Sequence, residues 1–257
     1  MKPYTLITGA SRGIGLALAD RLAHMGVPLI LAARSEQTLK KHAQSLHDRH
    51  NVPVQTICCD LSQQAGVDTL IDEARPYAIG GLINNAGYGK GGDFIQQDLQ
   101  EITALMFLNM SALTQLTRHF LPQLVAHKGT LINVASQAAF QAMPHFAAYA
   151  ASKAYVLHLT EALYQELKPK GVRVLAVCPG PVATDFWARA DIKPEDTRMH
   201  PGPILKVVDA TFNALKTTKP FVIPGLANQA MTFVQRFASR NLCVKMAGGL
   251  MGTPRQP

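Results

Sequence analysis

Acidic residues are scarce in this chain, and after Asp209 there are none. The 257 residues hold 17 Asp and Glu against 25 Lys and Arg, a net charge of +8 at pH 7. Lys216, Lys219, Arg236, Arg240, Lys245 and Arg255 all follow the last acid. Such an end either meets an anionic partner or is solvated surface, because positive charge alone names no partner. No nucleic-acid partner is expected. Charged residues reach only 16% against 47% apolar, which excludes a disordered chain and supplies a large core. Cysteine is limited to Cys58, Cys59, Cys178 and Cys243, without metal-ligand spacing, and Cys58 and Cys59 on one strand would face opposite ways. No metal and a reduced, cytoplasmic setting are therefore expected. After Met1, Lys2 and Pro3 there is no signal-like segment, and nowhere an apolar run of about 18 residues or more, so neither secretion nor membrane spanning is expected.

What is present is an alternation of short apolar β-rich runs with longer stretches of helical period. Strands are read at Tyr4 to Thr8, Pro28 to Ala32, Val54 to Cys58, Gly81 to Asn84, Thr130 to Val134, Val172 to Cys178 and Phe221 to Ile223. Helices are read at Ile14 to Met25, Glu36 to His50, Gln64 to Arg75, Leu99 to Val125 with a break near Pro122, Ala148 to Leu167, and Ile204 to Lys216. Strands apolar throughout are parallel strands covered on both faces. The expected fold is α/β, a doubly wound Rossmann-type sheet of about seven parallel strands with helices on both faces. Residues 1–225 would form the dinucleotide-binding and catalytic domain, with a proline-rich lid at 179–203, and 226–257 a basic apolar tail packed on it or extending from it.

The turn after the first strand reads Thr8, Gly9, Ala10, Ser11, Arg12, Gly13, Ile14, Gly15. It is neither G-x-G-x-x-G nor a P-loop, which would need a Lys after its last Gly. Its glycines permit a tight turn at a helix N-terminus, where a diphosphate can approach backbone N–H groups. This turn resembles that of the short-chain dehydrogenase/reductase family, T-G-x-x-x-G-I-G, and the resemblance runs from about Thr5 to Gly225. It implies that Gly9, Ser11, Arg12, Gly13, Ile14 and Gly15 cradle a nicotinamide dinucleotide. Asp60 and Leu61 match positions bordering the adenine. Asn84, Asn85, Ala86 and Gly87 match the N-N-A-G turn that supports the sheet and lines the adenosine ribose. Pro179, Gly180 and Thr184, with Val182 between them, match the segment holding the nicotinamide amide.

The second strand ends Ala32, Ala33, Arg34, without the carboxylate that NAD enzymes present to a ribose 2′-hydroxyl. Arg34 and Arg12 offer two guanidinium forks to a 2′-phosphate, so NADP is the expected cofactor, although either could be ordinary surface charge. Tyr149 and Lys153 lie one helical turn apart on one face. With Ser136 and Asn109 they resemble the family's Asn, Ser, Tyr, Lys tetrad. That resemblance makes Tyr149 the acid/base, Ser136 the holder of the carbonyl oxygen, and Lys153 the group that lowers the Tyr149 pKa and grips the nicotinamide ribose. Asn109 would fix a local backbone distortion and a relaying water. Bringing a phenol from about 10 to neutrality needs about three units, and one cation about 4 Å away supplies roughly that at an effective dielectric near 20.

Phe140, Met143, Phe146, Val182, Phe186 and Trp187 should surround the reaction centre, which points to a hydrophobic ketone or aldehyde. His145 and His158 match no family position, and nothing marks an orienting carboxylate for them. Three functions stand open: an NADP-dependent reductase of free hydrophobic carbonyls, a 3-oxoacyl-(acyl-carrier-protein) reductase, or a non-catalytic NADP-binding regulatory or scaffold protein. Family resemblance implies a homodimer or homotetramer through the Leu99 to Val125 and Ala148 to Leu167 helices. The tail, where Met231, Phe233, Val234, Phe237, Leu242, Val244 and Met246 alternate with Arg236, Arg240 and Lys245, could cover the substrate cleft, join a subunit interface, or touch a membrane peripherally, in that order of preference.

Overall fold

The computed structural model describes residues 2–192, 197 and 199–251. Strands β1 (Tyr4–Thr8), β2 (Leu29–Ala33), β3 (Val54–Cys58), β4 (Ile79–Asn84), β5 (Thr130–Val134), β6 (Arg173–Val177) and β7 (Phe221–Val222) form one parallel sheet in the order β3-β2-β1-β4-β5-β6-β7. Helices α1 (Gly13–His24), α2 (Glu36–His50), α3 (Gln64–Ala74), α4 (Leu99–Met106), α5 (Leu113–Ala126), α6 (Ala147–Leu167) and α8 (Ile204–Ala214) are joined by short α7 (Phe186–Arg189), and the chain continues into α9 (Leu226–Val234) and α10 (Arg240–Met251).

Strand alternation divides the core. Leu6, Ile30, Leu82, Leu131 and Val174 point to one face, where they meet Leu70 of α3, Phe120 of α5 and Tyr164 of α6. Their neighbours Ile7, Leu31, Ile83, Ile132 and Leu175 point to the other, against Leu18 of α1, Leu39 of α2 and Val208 of α8. Burial on both sides explains why these strands are apolar without interruption. The strand order reverses between β1 and β4, and a crevice opens at the carboxyl ends of strands at such a point.

The long helix expected from Leu99 to Val125 is interrupted elsewhere than at Pro122, which lies inside α5. The interruption is a π-helical segment, Phe107–Ala112, with buried Asn109 at its middle. A π segment inserts one extra residue into the helical ladder, and it occurs here where the Asn109 carboxamide bonds to other elements. Within the expected lid, residues 193–196 and 198 lie outside the described residues, as do 252–257 of the tail. The base of the lid is closed by Ala183 N–H donating to Gly202 O at 3.0 Å and Gly202 N–H to Pro181 O at 2.9 Å.

Buried amides and hydroxyls tie the sheet to its helices. Asn84 Nδ2 donates to Asn133 Oδ1 and to Thr117 Oγ1, both at 2.9 Å. Asn133 Nδ2 donates in turn to Thr160 Oγ1 at 2.9 Å, and that hydroxyl donates to Val156 O at 2.6 Å. Removing the middle of such a ladder leaves buried donors and acceptors unpaired. Asn133→Ala should therefore cost about 1–3 kcal/mol, read as a lower urea midpoint at unchanged slope. An unchanged midpoint would show that the ladder does not stabilise the sheet.

Candidate active site

Around the crevice between β1 and β4 the turns leaving the strands enclose a cavity of about 1190 Å³. That exceeds the volume of an ordinary single-ligand pocket, about 300–1,000 Å³, and leaves room for a dinucleotide beside a second molecule. Of the residues expected at the cofactor, all line it except Gly15 and Asn84, the latter buried in the sheet. A Cβ at Gly15 would come 2.4 Å from Asn85 Nδ2, so this glycine lets the two turns touch. Gly9 has φ +65, and a Cβ there would meet Ala86 Cα at 2.9 Å. The same turns are stitched by hydrogen bonds. Thr8 Oγ1 accepts from Asn85 N–H and Ala86 N–H at 3.0 Å each, and Asn85 Nδ2 donates to Thr8 O at 2.9 Å and Gly9 O at 3.1 Å.

Asn109 stands behind the cavity wall. Its Nδ2 donates to Tyr88 O at 3.0 Å and to Ser152 Oγ at 2.9 Å, while Oδ1 accepts from Tyr88 N–H at 3.2 Å. Ser152 Oγ donates to Tyr149 O at 2.7 Å. Asn109 thus links the turn after β4 to the first turns of α6, which carry Tyr149 and Lys153. Ser136 ends the strand side of the site; its Oγ accepts from Ala138 N–H at 3.1 Å and its hydroxyl reaches the Tyr149 phenol.

Tyr149 and Lys153 are both buried, and burial governs both titrations. Desolvation pushes Tyr149 up to about 12, with a hydrogen bond to Ser136 acting the other way. Desolvation pulls Lys153 down to about 8, opposed by Cys178. The expected lowering of Tyr149 by Lys153 is thus absent in the protein alone. Lys153 Nζ donates to Val134 O at 2.8 Å and stands 5.8 Å from the Tyr149 ring centroid, so its ammonium is engaged by backbone. A phenol raised in this way carries its proton at neutral pH but is a weaker acid than a free tyrosine.

Aromatic and aliphatic side chains gather around Tyr149. Ring centroids of Phe146 and Phe186 lie 4.6 and 5.3 Å from that of Tyr149, and Trp187 lies on the cavity wall with them. Phe140, expected beside substrate, instead packs on Phe221 at 5.6 Å and is not part of the wall, because its 3₁₀ turn directs it toward the far edge of the sheet. The tail contributes instead. Met231 of α9 and Leu250 of α10 line the cavity, Ala247 is buried in one cluster with Met143, Phe146 and Tyr149, and Gln137 Nε2 donates to Asn228 O at 3.3 Å.

Arg12 and Arg34 line the opposite end, where Arg12 Nη1 pairs with Asp185 Oδ2 at 2.8 Å. Arg189 shares that wall and was not singled out by any motif. Its only sequence signal is its place at the end of the aromatic pair Phe186 and Trp187. His145 does have a carboxylate partner, Asp93, at 2.7 Å, across a gap in sequence too long for any spacing rule. That contact ties the segment after Gly87 to the entry of α6, Lys90 ties it to Glu101 of α4, and the pairing of Lys90 with Asp191 fastens it to the lid.

The residues present fit a nicotinamide dinucleotide: a glycine turn on the wall, a cavity of sufficient volume, and Arg12 and Arg34 lining it together with Tyr149 and Ser136. A family profile, short chain dehydrogenase, matches residues 3–195. A putative ketoacyl reductase of granaticin polyketide synthesis from Streptomyces violaceoruber is 35% identical over 193 residues, 73% of this chain and 71% of that protein. A short-chain dehydrogenase from Sphingobium yanoikuyae, solved in complex with NADPH, has a TM-score of 0.84 at 35% identity, covering 93% of this chain and 94% of that one. A bulky-bulky ketone specific alcohol dehydrogenase from Comamonas testosteroni has a TM-score of 0.77 at 31% identity, covering 93% and 95%. Profile, relatives and the arrangement around Tyr149 agree: the chain belongs to the short-chain dehydrogenase/reductase family of oxidoreductases.

Proposed function

We propose that this chain is an NADP-dependent reductase of bulky hydrophobic ketones or aldehydes, able to run in reverse on the alcohols. The observation that carries the reading is the apolar wall of Phe146, Phe186, Trp187, Met143 and Met231 around Tyr149 and Ser136, with arginines at the cavity's other end. The bulky-ketone specificity in the Comamonas protein's description supports it. Bound cofactor would supply hydride to the carbonyl carbon. Tyr149 donates its phenolic proton to the carbonyl oxygen, and Ser136 Oγ donates a hydrogen bond to the same atom. Lys153 holds its place through Val134 O and offers its remaining donors toward the cavity. Asn109 keeps α6 in register with the turn after β4. The α9 and α10 tail closes the substrate end, which fits a lid better than a free anchor, since Ala247 is buried beside Tyr149's own cluster. No helix among the described residues is long and apolar enough to cross a membrane. Exposed Leu99, Met106 and Tyr155 on α4 and α6 favour a homo-oligomer through those helices.

A second reading, reduction of a 3-oxoacyl group on an acidic carrier protein, is favoured by exposed Arg236, Arg240 and Lys245 beside the substrate end and by the Streptomyces relative. Loss of NADPH absorbance with a panel of free bulky ketones, small ketones and a carrier-bound 3-oxoacyl group separates the two. Free bulky ketones should be turned over fastest; turnover confined to the carrier-bound substrate would replace the first reading with the second.

Cofactor choice is tested directly. NADPH should bind at least about tenfold more tightly than NADH, and Arg34→Asp should narrow or reverse the ratio. Equal dissociation constants in the unmutated protein would remove the NADP assignment.

Tyr149→Phe should lose nearly all turnover, by about 100-fold or more, while keeping NADPH affinity. In the cofactor-free protein the two forms should give superimposable tyrosinate absorbance up to about pH 11, because burial keeps Tyr149 protonated there. One extra tyrosinate in the unmutated protein between about pH 7 and pH 9 would instead mean that Lys153 acts without cofactor.

A further inference from the structure

Arg189 belongs to none of the cofactor motifs, yet it lines the same cavity as Arg12 and Arg34 and lies near enough to feel the charge of both. It reaches that place through α7, which follows directly on Asp185, and Asp185 is the residue paired with Arg12 at 2.8 Å. Thr184 rests on the glycine turn, where a Cβ at Gly13 would meet Thr184 Cγ2 at 3.5 Å. At its far end α7 is fastened again by Asp191, which pairs with Lys90. This single turn of helix therefore spans the site. Phe186 lies 5.3 Å from the Tyr149 ring, buried Trp187 donates from Nε1 to Val182 O at 2.9 Å, and Arg189 N–H donates to Asp185 O at 3.3 Å, one turn on from the residue that pairs with Arg12.

The charge at this corner is unbalanced. Asp185 is taken by Arg12, and among the described residues no carboxylate forms an ion pair with Arg34 or Arg189. Burial, and after it the like charges of Arg12 and Arg34, hold Arg189 below its ordinary pKa. Guanidinium groups gathered with too few acids form a site for a dianion, and their planar forks match phosphate oxygens.

Building on the NADP reading above, we propose that Arg189 completes a three-arginine pocket for the cofactor's 2′-phosphate, and that this contact couples the phosphate to the position of α7 beside Tyr149. The 2′-phosphate then does more than select the cofactor. It draws on Arg12 and Arg189 together and so sets the helix that carries Phe186 and Trp187 along the substrate wall. A cofactor without that phosphate leaves Arg12 with Asp185 and gives α7 no anion to close upon.

The test needs no turnover, because Trp187 is the chain's only tryptophan and reports on α7 directly. Adenosine 2′,5′-bisphosphate and 5′-AMP are titrated into the full chain, with calorimetry for affinity and indole emission for the helix. The unmutated protein should bind the bisphosphate at least about tenfold more tightly, with an emission change that 5′-AMP does not produce. Arg189→Leu should lose about tenfold in bisphosphate affinity and the emission change, while its 5′-AMP affinity and urea midpoint stay the same; Arg189→Lys should recover part of both. No preference for the bisphosphate in the unmutated protein would sink the NADP reading itself. A preserved preference in Arg189→Leu, or equal loss for both nucleotides, would overturn the role of Arg189 and leave the NADP reading standing. Retained emission change in that variant would overturn the coupling to α7.

Discussion

Everything at the site hangs on the seam between β1 and β4, where the strand order reverses. Thr8 and Asn85 exchange hydrogen bonds across it, and Gly9 and Gly15 lack side chains so that the two turns can touch. The seam fixes the glycine turn against the N-A-G turn. From the first, Arg12 reaches Asp185 at the base of α7; from the second, Tyr88 is gripped by Asn109 and Lys90 meets Asp191. The lid helix is thus referred at both ends to turns held by one set of contacts. A few tenths of an ångström lost at the seam would be passed to cofactor cradle and substrate wall alike.

Tyr149 and Lys153 show how burial can oppose a charge effect expected from spacing alone. Their one-turn separation suggests a cation lowering a phenol. Desolvation raises the phenol and lowers the amine, so the phenol stays protonated while the ammonium holds its proton less firmly than a free lysine.

The sheet was legible because its signal is repeated: every central strand is buried on both faces, and the run of Val, Ile and Leu follows from that one condition. The turns were legible too, since glycine and asparagine at fixed offsets answer to backbone geometry. Other features depend on contacts remote in sequence. Pro122 reads as a helix breaker and lies within α5, whereas the interruption comes at Asn109, which no local pattern marks and only the family resemblance points to as the site of a backbone distortion. Phe140 reads as a pocket aromatic and packs on Phe221. Gly15 reads as a glycine of the cofactor turn, and its close approach to Asn85 is a second demand on it that no spacing announces. Asp93 for His145, and Arg189 for the arginine corner, carry no local pattern at all.

The strand order also bears on how the chain acquires its shape during synthesis. β1 and β2 can pair as soon as both have left the ribosome, and β3 can add to the outer edge. The inner edge of β1 has no partner until α2, β3 and α3 have all emerged and β4 follows. Until then an apolar edge strand stands open, a template for wrong pairing with other chains. The cofactor crevice is created by the same late pairing that covers this edge. Dinucleotide can therefore stabilise the nascent domain only after its most aggregation-prone interval has passed, and protection before that moment falls to the rate at which β4 finds β1.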